Sequence, residues 1–551
     1  MRKLLVIIIS FIISIEMVSC AVAGNLSNKS SQSGNVLVPE DTAKDNGPVK
    51  GGVLKLFSTV PDTLNPLLTK NTFVKDFTNL IFESLIKINK DQQVVPVLAE
   101  KWDVSEDGLI WTFYIRKDVF WHNGMPFTAD DVKFTFDTIQ NSSVKSIYKE
   151  NLKNISVYSA VDSSTFRIFV KKQDSFTAEL MNFPIISKDY YIGENVKSLK
   201  SKNNMKPVGT GPFKYVSKKG SLIILSANNK WWNSQVSSVS SGKSYPYISE
   251  IDIKTFKSSS EAENAFQAGE IDVAYIQYSD FEKYSSRLNM KMRKYPSNKF
   301  EFISYNTTNG ALRDKSVRQA IAYAIDRGKL IDDVISGGGV ISDIPIIPGT
   351  WLYNSYYLYD RHKALDLLSK AGWTLQGGAM YNSYYGHLRL EILVNSNNAI
   401  RCKIANKISS QLKSIGIEAT VKKVTWEQEI SEVKSTNYDL AILGLEVSTI
   451  PDISFAYSSL ERYTGFNFSR YNNKDVDSYL DRILTEKNPL DATNMRRLYT
   501  EMEAIISSDV PYLGLFFYNN AVIYNKKICG DLNPSIWDKL SDVSKWYLAA
   551  N

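Results

Sequence analysis

The chain has 551 residues, which at ~100–200 residues per domain predicts two to four domains. Its 43% hydrophobic and 22% charged content excludes a disordered or fibrous protein, and its net charge of +7 is too weak for this length to indicate a nucleic-acid binder or a strongly charged substrate. With 3 cysteines and 3 histidines, the chain is neither a disulfide scaffold nor a multi-cysteine zinc protein.

The N-terminus predicts export and lipid anchoring. Arg2 and Lys3 precede an apolar run, residues 4–15, that is shorter than the ~20 residues of a membrane span. Met-Val-Ser-Cys at 17–20 resembles a bacterial lipobox, in which the cysteine is diacylated and becomes the new N-terminus. We therefore predict a signal peptide with a lipobox over 1–20 and lipidation of Cys20, the alternative being an ordinary signal peptide with an incidental cysteine. Residues 21–50 are polar and small, which predicts a flexible tether.

In the first part of the body, the pattern predicts a strand and a capped helix. Apolar residues occupy both faces of 109–116, which indicates a strand buried on at least one face. Thr128 precedes Asp130 and Asp131, which would face different sides of a helix, so we interpret them as a capped helix start rather than a catalytic carboxylate pair. Four tryptophans are expected in the core rather than against a ligand: Trp102, Trp111, Trp121 and Trp231.

The second half of the chain predicts parallel α/β structure. A helix with an apolar stripe is expected to begin at the N-cap Asp314. Residues 388–394 alternate as a strand, apolar residues then recur at helical spacing until Gly416, and 417–424 forms a second strand. A third strand is predicted at 438–445 and a late helix around 495–506. A strand, crossover helix and strand in this order are typical of a parallel sheet.

No motif for catalysis is present. The chain lacks the phosphate-binding, nucleophile-elbow and metalloprotease patterns. The three scattered histidines, His122, His362 and His387, are interpreted as surface or structural residues rather than ligands. The sequence therefore predicts no enzyme, no metal site and no cofactor.

Several ordered motifs resemble one family. Residues 94–139 read VVPVLAEKWDVSEDGLIWTFYIRKDVFWHNGMPFTADDVKFTFDTI. This segment closely resembles the signature of the family 5 extracellular solute-binding proteins, the large peptide- and nickel-type receptors of ABC importers. Further segments fit the same family in order: Gly51-Gly52 leading to Asp62-Thr63-Leu64-Asn65-Pro66, PVGTGPFKYV at 207–216, Ala268-Gly269-Glu270-Ile271-Asp272, VRQAIAYAIDR at 317–327, GFNFSRYNNKDVD at 465–477 and DVPYLGLFFY at 509–518. The resemblance covers about residues 51–551, and a series of motifs is far more specific than a single one.

The resemblance implies an α/β fold of the two-lobe, periplasmic-binding-protein type (Venus flytrap) with an extra inserted domain. The implied pieces are 51–86, 204–304 and 517–551 for lobe I, 87–203 for the inserted domain II, and 305–516 for lobe II (domain III). Chain crossings near 303 and 517 would form the hinge, and the lobes would close on a solute. A membrane permease would then recognise the closed state.

The resemblance also places ligand contacts after the strand at 439–445, where ligands of open α/β sheets sit. Peptide-binding relatives carry a tryptophan after the glycine of this segment and a nearby acid that pairs with the peptide α-ammonium. Here Leu445 stands in place of the tryptophan and Ile450 stands at a usual acidic position. Glu446 is the best local replacement for the missing acid. The equal alternative is that Glu446 is a surface glutamate that faces solvent. The candidate contacts are Lys70, Asn71, Thr72, Trp426, Glu446, Val447, Ser448, Thr449 and Tyr518.

The leading functional hypothesis is a lipid-anchored receptor that delivers an oligopeptide to an ABC importer. Its partners would be the solute and an ABC permease, with no nucleic acid, and the protein would be a monomer on the outer side of the cell membrane, extracellular or periplasmic. Two alternatives stay open. The same scaffold would hold an oligosaccharide or a chelated metal, or the chain would be a surface lipoprotein with a signalling or adhesion role.

Overall fold

The computed structural model describes residues 47–193, 196–234, 244–352, 357–448, 450–463, 465–486, 488–489 and 491–549. The predicted signal peptide, Cys20, most of the tether and the candidate contact Thr449 lie outside these ranges. From Gly47 onward the chain forms one compact unit. Within the described ranges, no helix has both the length and the apolar character needed to cross a bilayer.

Single strands and runs of several strands are interspersed with helices along the described part of the body. They are β1 (Val53–Thr59), β2 (Ile86–Ile88), β3 (Val94–Pro96), β4 (Ala99–Val104), β5 (Ile110–Ile115), β6 (Ile155–Asp162), β7 (Thr165–Val170), β8 (Phe213–Lys219), β9 (Leu222–Ala227), β10 (Glu250–Phe256), β11 (Val273–Gln277), β12 (Met290–Tyr305), β13 (Gly339–Val340), β14 (Thr374–Gln376), β15 (Ala379–Asn382), β16 (Gly386–His387), β17 (Arg389–Asn395), β18 (Glu418–Val424), β19 (Leu440–Glu446), β20 (Tyr512–Asn525), β21 (Ile528–Cys529) and β22 (Tyr547–Leu548).

Most of the longer helices follow a capping residue. The helices are α1 (Thr72–Thr78), α2 (Ala129–Gln140), α3 (Lys188–Tyr191), α4 (Ser259–Gln267), α5 (Phe281–Ser285), α6 (Lys315–Ala324), α7 (Arg327–Ile335), α8 (Arg361–Lys370), α9 (Ala399–Lys413), α10 (Trp426–Lys434), α11 (Ser454–Tyr457), α12 (Lys474–Leu484) and α13 (Ala492–Asp509). Asp314 caps α6 by accepting from the Ser316 N–H at 2.8 Å, and Thr128 is the N-cap of α2, so both predicted helix starts are confirmed.

Two four-stranded sheets lie in the first part of the body. One has the order β1-β10-β9-β8, with β1 parallel to β10, and the other has the order β4-β5-β7-β6 and is antiparallel. Trp111 and Trp121 are buried, Trp231 is nearly so, and Trp102 packs against the same core, as predicted.

A seven-stranded sheet dominates the second part. Its order is β11-β20-β12-β19-β17-β18, with β13 paired to β20, and β17 is parallel to both β18 and β19. The strand–helix–strand prediction for 388–445 is therefore confirmed. Ile392 and Val394 face a core that includes α9, whereas Leu393 faces a second core that includes α13. Because β17 is buried on both faces, the sheet is the middle layer of an α/β sandwich.

Two long strands connect the halves of this sheet. β12 has 16 residues and β20 has 14, and they pair antiparallel with a register shift between Pro296 and Phe300. β11 pairs with β20 on one side of the shift, and β19 pairs with β12 on the other. A bulge bends the strand that carries it. The predicted crossings near 303 and 517 fall on these two strands, while the predicted domain boundaries stay a prediction.

His122 and Glu83 fix the glycine-containing motif at 207–216. The Gly209 N–H donates to His122 Nδ1 at 3.3 Å, so Nε2 carries the proton and donates to the Gly211 carbonyl at 3.0 Å. Burial lowers the pKa of His122 to about 4, which keeps the ring neutral. A Cβ on Gly209 would lie 1.8 Å from the Ile81 carbonyl oxygen, so only glycine fits there. The structural interpretation of His122 is confirmed.

Candidate binding cleft

The carboxyl ends of three parallel strands form one edge of the seven-stranded sheet. β17, β18 and β19 all end there, and α9 and α10 begin beside them. Asn398 caps α9 by accepting from the Arg401 N–H at 3.0 Å, and Thr425 caps α10 by accepting from the Gln428 N–H at 3.3 Å. This edge is where open α/β sheets bind ligands.

A buried ion pair crosses this edge. Arg401 donates from Nε to Glu301 Oε2 at 2.8 Å and from Nη2 to Glu301 Oε1 at 3.1 Å, a bidentate geometry. The pair lies directly over Gly444, where an added Cβ would be 2.0 Å from Arg401 Nη2 and 2.6 Å from Glu301 Oε1. The glycine that precedes Leu445 is therefore required by the ion pair, because no side chain fits between β19 and the guanidinium.

Glu429 and Tyr518 complete this group, which we call the Arg401 cluster. Glu429 is fully buried, and burial raises its pKa to about 7 even though Arg401 favours the charged form. Tyr518 stacks on Tyr278 with ring centroids 5.0 Å apart and donates a hydrogen bond to Glu301. Two buried carboxyl groups thus share one guanidinium at the cleft edge.

A cavity of about 380 Å³ lies where three distant stretches of the chain meet. We call it the cleft cavity. Its lining residues are Lys75, Ile88, Ile147, Tyr148, Asn151, Glu179, Leu180, Asn182, Ser448 and Ile450. Lys75 comes from the predicted lobe I, the next seven residues come from the predicted inserted domain, and the last two come from the segment after β19. The volume lies at the lower end of the ~300–1,000 Å³ of small-molecule sites.

The cleft cavity carries one side chain of each charge. Burial lowers the pKa of Lys75, opposed by the charges of Asp76 and Asp62. Burial raises the pKa of Glu179 to about 8, and the Asp174 carboxylate adds to the rise. No ion pair joins Lys75 to Glu179 among the residues that the structure describes, so both side chains are available to a ligand.

The predicted contacts near β1 and α1 do not all point to the cleft cavity. Lys70 is exposed, and its backbone N–H donates to Asp62 Oδ2 at 3.0 Å. The Asn71 side chain caps α1 by accepting from the Phe73 N–H at 3.1 Å and donates to Thr59 Oγ1 at 2.7 Å. Thr72 is exposed at the first position of α1. The three stay predictions, and the residue of this region that lines the cavity is Lys75.

The predicted contacts after β19 lie in different environments. Glu446 is exposed at the end of β19 opposite Lys299, Val447 is buried and donates its N–H to the Asn298 carbonyl at 2.8 Å, and Ser448 lines the cleft cavity. Trp426 is 40% exposed at the first position of α10. Tyr518 belongs to the Arg401 cluster. As ligand contacts, all of these remain predictions.

Sequence reasoning missed the polar wall that the predicted inserted domain contributes to the cleft cavity. Tyr148, Asn151, Glu179 and Asn182 lie outside every motif that carried the family resemblance. Glu179 begins a short 3-10 turn, Glu179–Met181, and nothing in its spacing marks it. Among the described residues, no group of three histidine, cysteine or acidic side chains is placed to hold a metal ion.

Known proteins share this architecture. Over 564 residues, the chain is 26% identical to the oligopeptide-binding protein AppA of Bacillus subtilis, covering 100% of this chain and 99% of AppA. The structure of that AppA in complex with a nonapeptide superposes with a TM-score of 0.54 over 92% of this chain and 100% of the other, at 25% identity. The structure of the ABC transporter substrate-binding protein CtaP of Listeria monocytogenes superposes with a TM-score of 0.66 at 25% identity. The match covers 91% of this chain and 100% of CtaP. The dipeptide-binding protein of Escherichia coli is 26% identical to this chain, and the match covers 82% of this chain and 86% of that protein.

The fold and the cleft define a two-lobed α/β solute-binding receptor of the kind that serves ABC importers. The sequence profile of the bacterial extracellular solute-binding proteins, family 5, matches residues 93–467. The chain belongs to that family, and the predicted fold class, two lobes with an extra inserted domain, is confirmed. The family is one of transport receptors rather than enzymes.

Proposed function

We propose that this protein is a lipid-anchored receptor that captures short peptides outside the cell and delivers them to an ABC importer by closing its lobes. The observation that carries the proposal is the cleft cavity, which brings one lysine and one glutamate side chain together with Ser448 at the carboxyl ends of the parallel strands. A peptide in its ionised form presents the two complementary charges. The similarity to oligopeptide- and dipeptide-binding proteins supports the same substrate class.

The proposal predicts that the purified receptor binds short free peptides and leaves them intact. Among the described residues that line the cleft cavity, no nucleophile is hydrogen-bonded to a base, so the bound peptide is expected to be recovered unchanged after long incubation. Mass spectrometry of material that co-purifies with the protein from its producer identifies the ligand, and calorimetry with synthetic peptides measures affinity. Recovery of an oligosaccharide or a metal chelate, with no peptide bound, would replace the peptide hypothesis.

Anchoring by Cys20 has its own test. We expect metabolic labelling with a fatty acid to mark the wild type and to fail with Cys20→Ser, because the lipobox cysteine is the acylation site. Two acyl chains hold a protein stably at a bilayer, whereas one gives marginal binding. Cys402→Ser is the matched control, because this cysteine is buried in α9 and should leave labelling unchanged. Equal labelling of wild type and Cys20→Ser would remove the anchor from the proposal.

A further inference from the structure

Glu179 is a partly buried acid, and one of its carboxyl oxygens has no hydrogen-bond partner among the described residues. Its Oε2 is shielded from solvent and accepts no hydrogen bond, although the residue lines the cleft cavity. A buried carboxylate without a partner is costly, so such a group is normally paired or protonated. An ammonium group placed in the cavity would supply the missing partner.

Lys75 offers the opposite charge on another wall of the same cavity. It lies on α1, makes no ion pair with any described residue, and is partly buried. Two charges on separate walls of one cavity match the two ends of a zwitterion. A volume of about 380 Å³ leaves room for a short ligand only.

We propose that Glu179 binds the ammonium end of the ligand and Lys75 binds its carboxylate end. The receptor would then select short peptides whose two termini are unmodified and lie inside the cleft cavity. This inference rests on the proposed function and sharpens it. It replaces Glu446, the acid that the sequence favoured, with an acid from the inserted domain. Glu446 is exposed at the end of β19 and does not line the cavity.

The charges around Glu179 favour a cation at this place. Asp174 lies five residues before it and raises its pKa, and Asp452 acts on Asp174 from the loop after β19. Tyr499 on α13 lies within electrostatic reach of Glu179, and Glu503 in turn acts on Tyr499. Tyr148 and Lys75 face the cavity from the other walls. Since the pKa of Glu179 is raised to about 8, the empty cavity holds a neutral carboxyl group at pH 7. An arriving ammonium would convert it to the carboxylate and release its proton.

The test uses the full mature chain and mixtures of two- to four-residue peptides in free, N-acetylated and C-amidated form, with binding measured by native mass spectrometry. We expect acetylation to weaken binding to the wild type at least tenfold. Glu179→Gln should weaken binding of the free peptides by a similar factor, with little further loss on acetylation, because both changes remove the same contact. Lys75→Met should show the same non-additivity with amidation. Glu446→Gln tests the competing acid that the sequence favoured, and we expect this variant to bind like the wild type.

Proton release separates a direct contact from a structural role. Calorimetry at pH 7 in two buffers of different ionisation enthalpy should show the wild type releasing most of one proton per free peptide and Glu179→Gln releasing none. The variant should fold, because it removes an unpaired buried acid rather than a pair, and thermal unfolding checks this. Glu179→Asp provides a second variant, in which the carboxyl group can still release a proton but the side chain is shorter by one methylene group.

The outcomes also separate this inference from the proposed function. If free and N-acetylated peptides bind the wild type equally, or if Glu446→Gln loses affinity while Glu179→Gln keeps it, the assignment of Glu179 is overturned and the peptide receptor stands. If no peptide in any form binds the wild type, the proposed function falls, and the inference falls with it.

Discussion

Arg401→Met is expected to lower the free energy of unfolding by about 3–5 kcal/mol, the cost of removing one partner from a buried ion pair. The guanidinium donates two hydrogen bonds to Glu301 and lies near the buried Glu429. Methionine fills much of the same volume but supplies no charge. Two buried carboxyl groups would then share a site with no cation, so at least one of them must take up a proton.

Chemical denaturation at pH 7 measures this loss. Arg389→Met is the matched control, because Arg389 pairs with Glu418 at 2.6 Å on the surface of the same sheet, where such pairs contribute less than about 1 kcal/mol. We expect Arg401→Met to lower the free energy of unfolding several-fold more than Arg389→Met does. A loss at Arg401 no larger than that at Arg389 would show that the cluster contributes little to stability.

The position of the Arg401 cluster links stability to closure. Glu301 lies on β12 just after the register shift, and Tyr518 lies on β20 at the same level. These are the two strands that join the halves of the seven-stranded sheet. The cluster therefore holds β19, α9 and α10 against the place where β12 and β20 change register, and its loss is expected to loosen the cleft edge as well as the core.

The individual helices and strands were predictable because their signals are local, whereas the two-lobe arrangement followed from the family resemblance. The stripe of apolar residues from Ile400 to Ile415 predicts α9. Gly416 follows the helix end with a φ of +84°, a backbone conformation that favours glycine. Alternation from Leu388 to Val394 predicts β17 in the same way. Such patterns need only neighbours in sequence, because burial on one face repeats with the period of the element.

The candidate site was predictable only in part because its contacts are not local. Glu301 and Arg401 are 100 positions apart, and Glu179 and Lys75 come from distant stretches of the chain. The family resemblance leads to the segment after β19, of which Ser448 does line the cavity. Lys75 and Glu179 carry no periodic or motif signal. They become candidates only in the folded chain, where both side chains line the same partly buried cavity.

Glu429→Gln is expected to stabilise the protein at pH 8 and to have little effect at pH 4. The folded-state pKa of Glu429 is raised from 4.5 to about 7, chiefly by burial. The native state therefore holds its proton over a range in which the unfolded chain has lost it. Stability from this group is complete below pH 4.5 and is lost as the pH rises through 7.

Glutamine imitates the protonated acid and does not titrate, so the variant escapes that loss. The difference in unfolding free energy between Glu429→Gln and the wild type should grow from pH 4 to pH 8 and reach at most about 3 kcal/mol, the free energy equivalent of the shift. Glu427→Gln on the exposed side of the same helix is the control and should show no such growth. A constant difference across this range would mean that Glu429 is charged in the native state and that Arg401 neutralises both of its carboxylate neighbours.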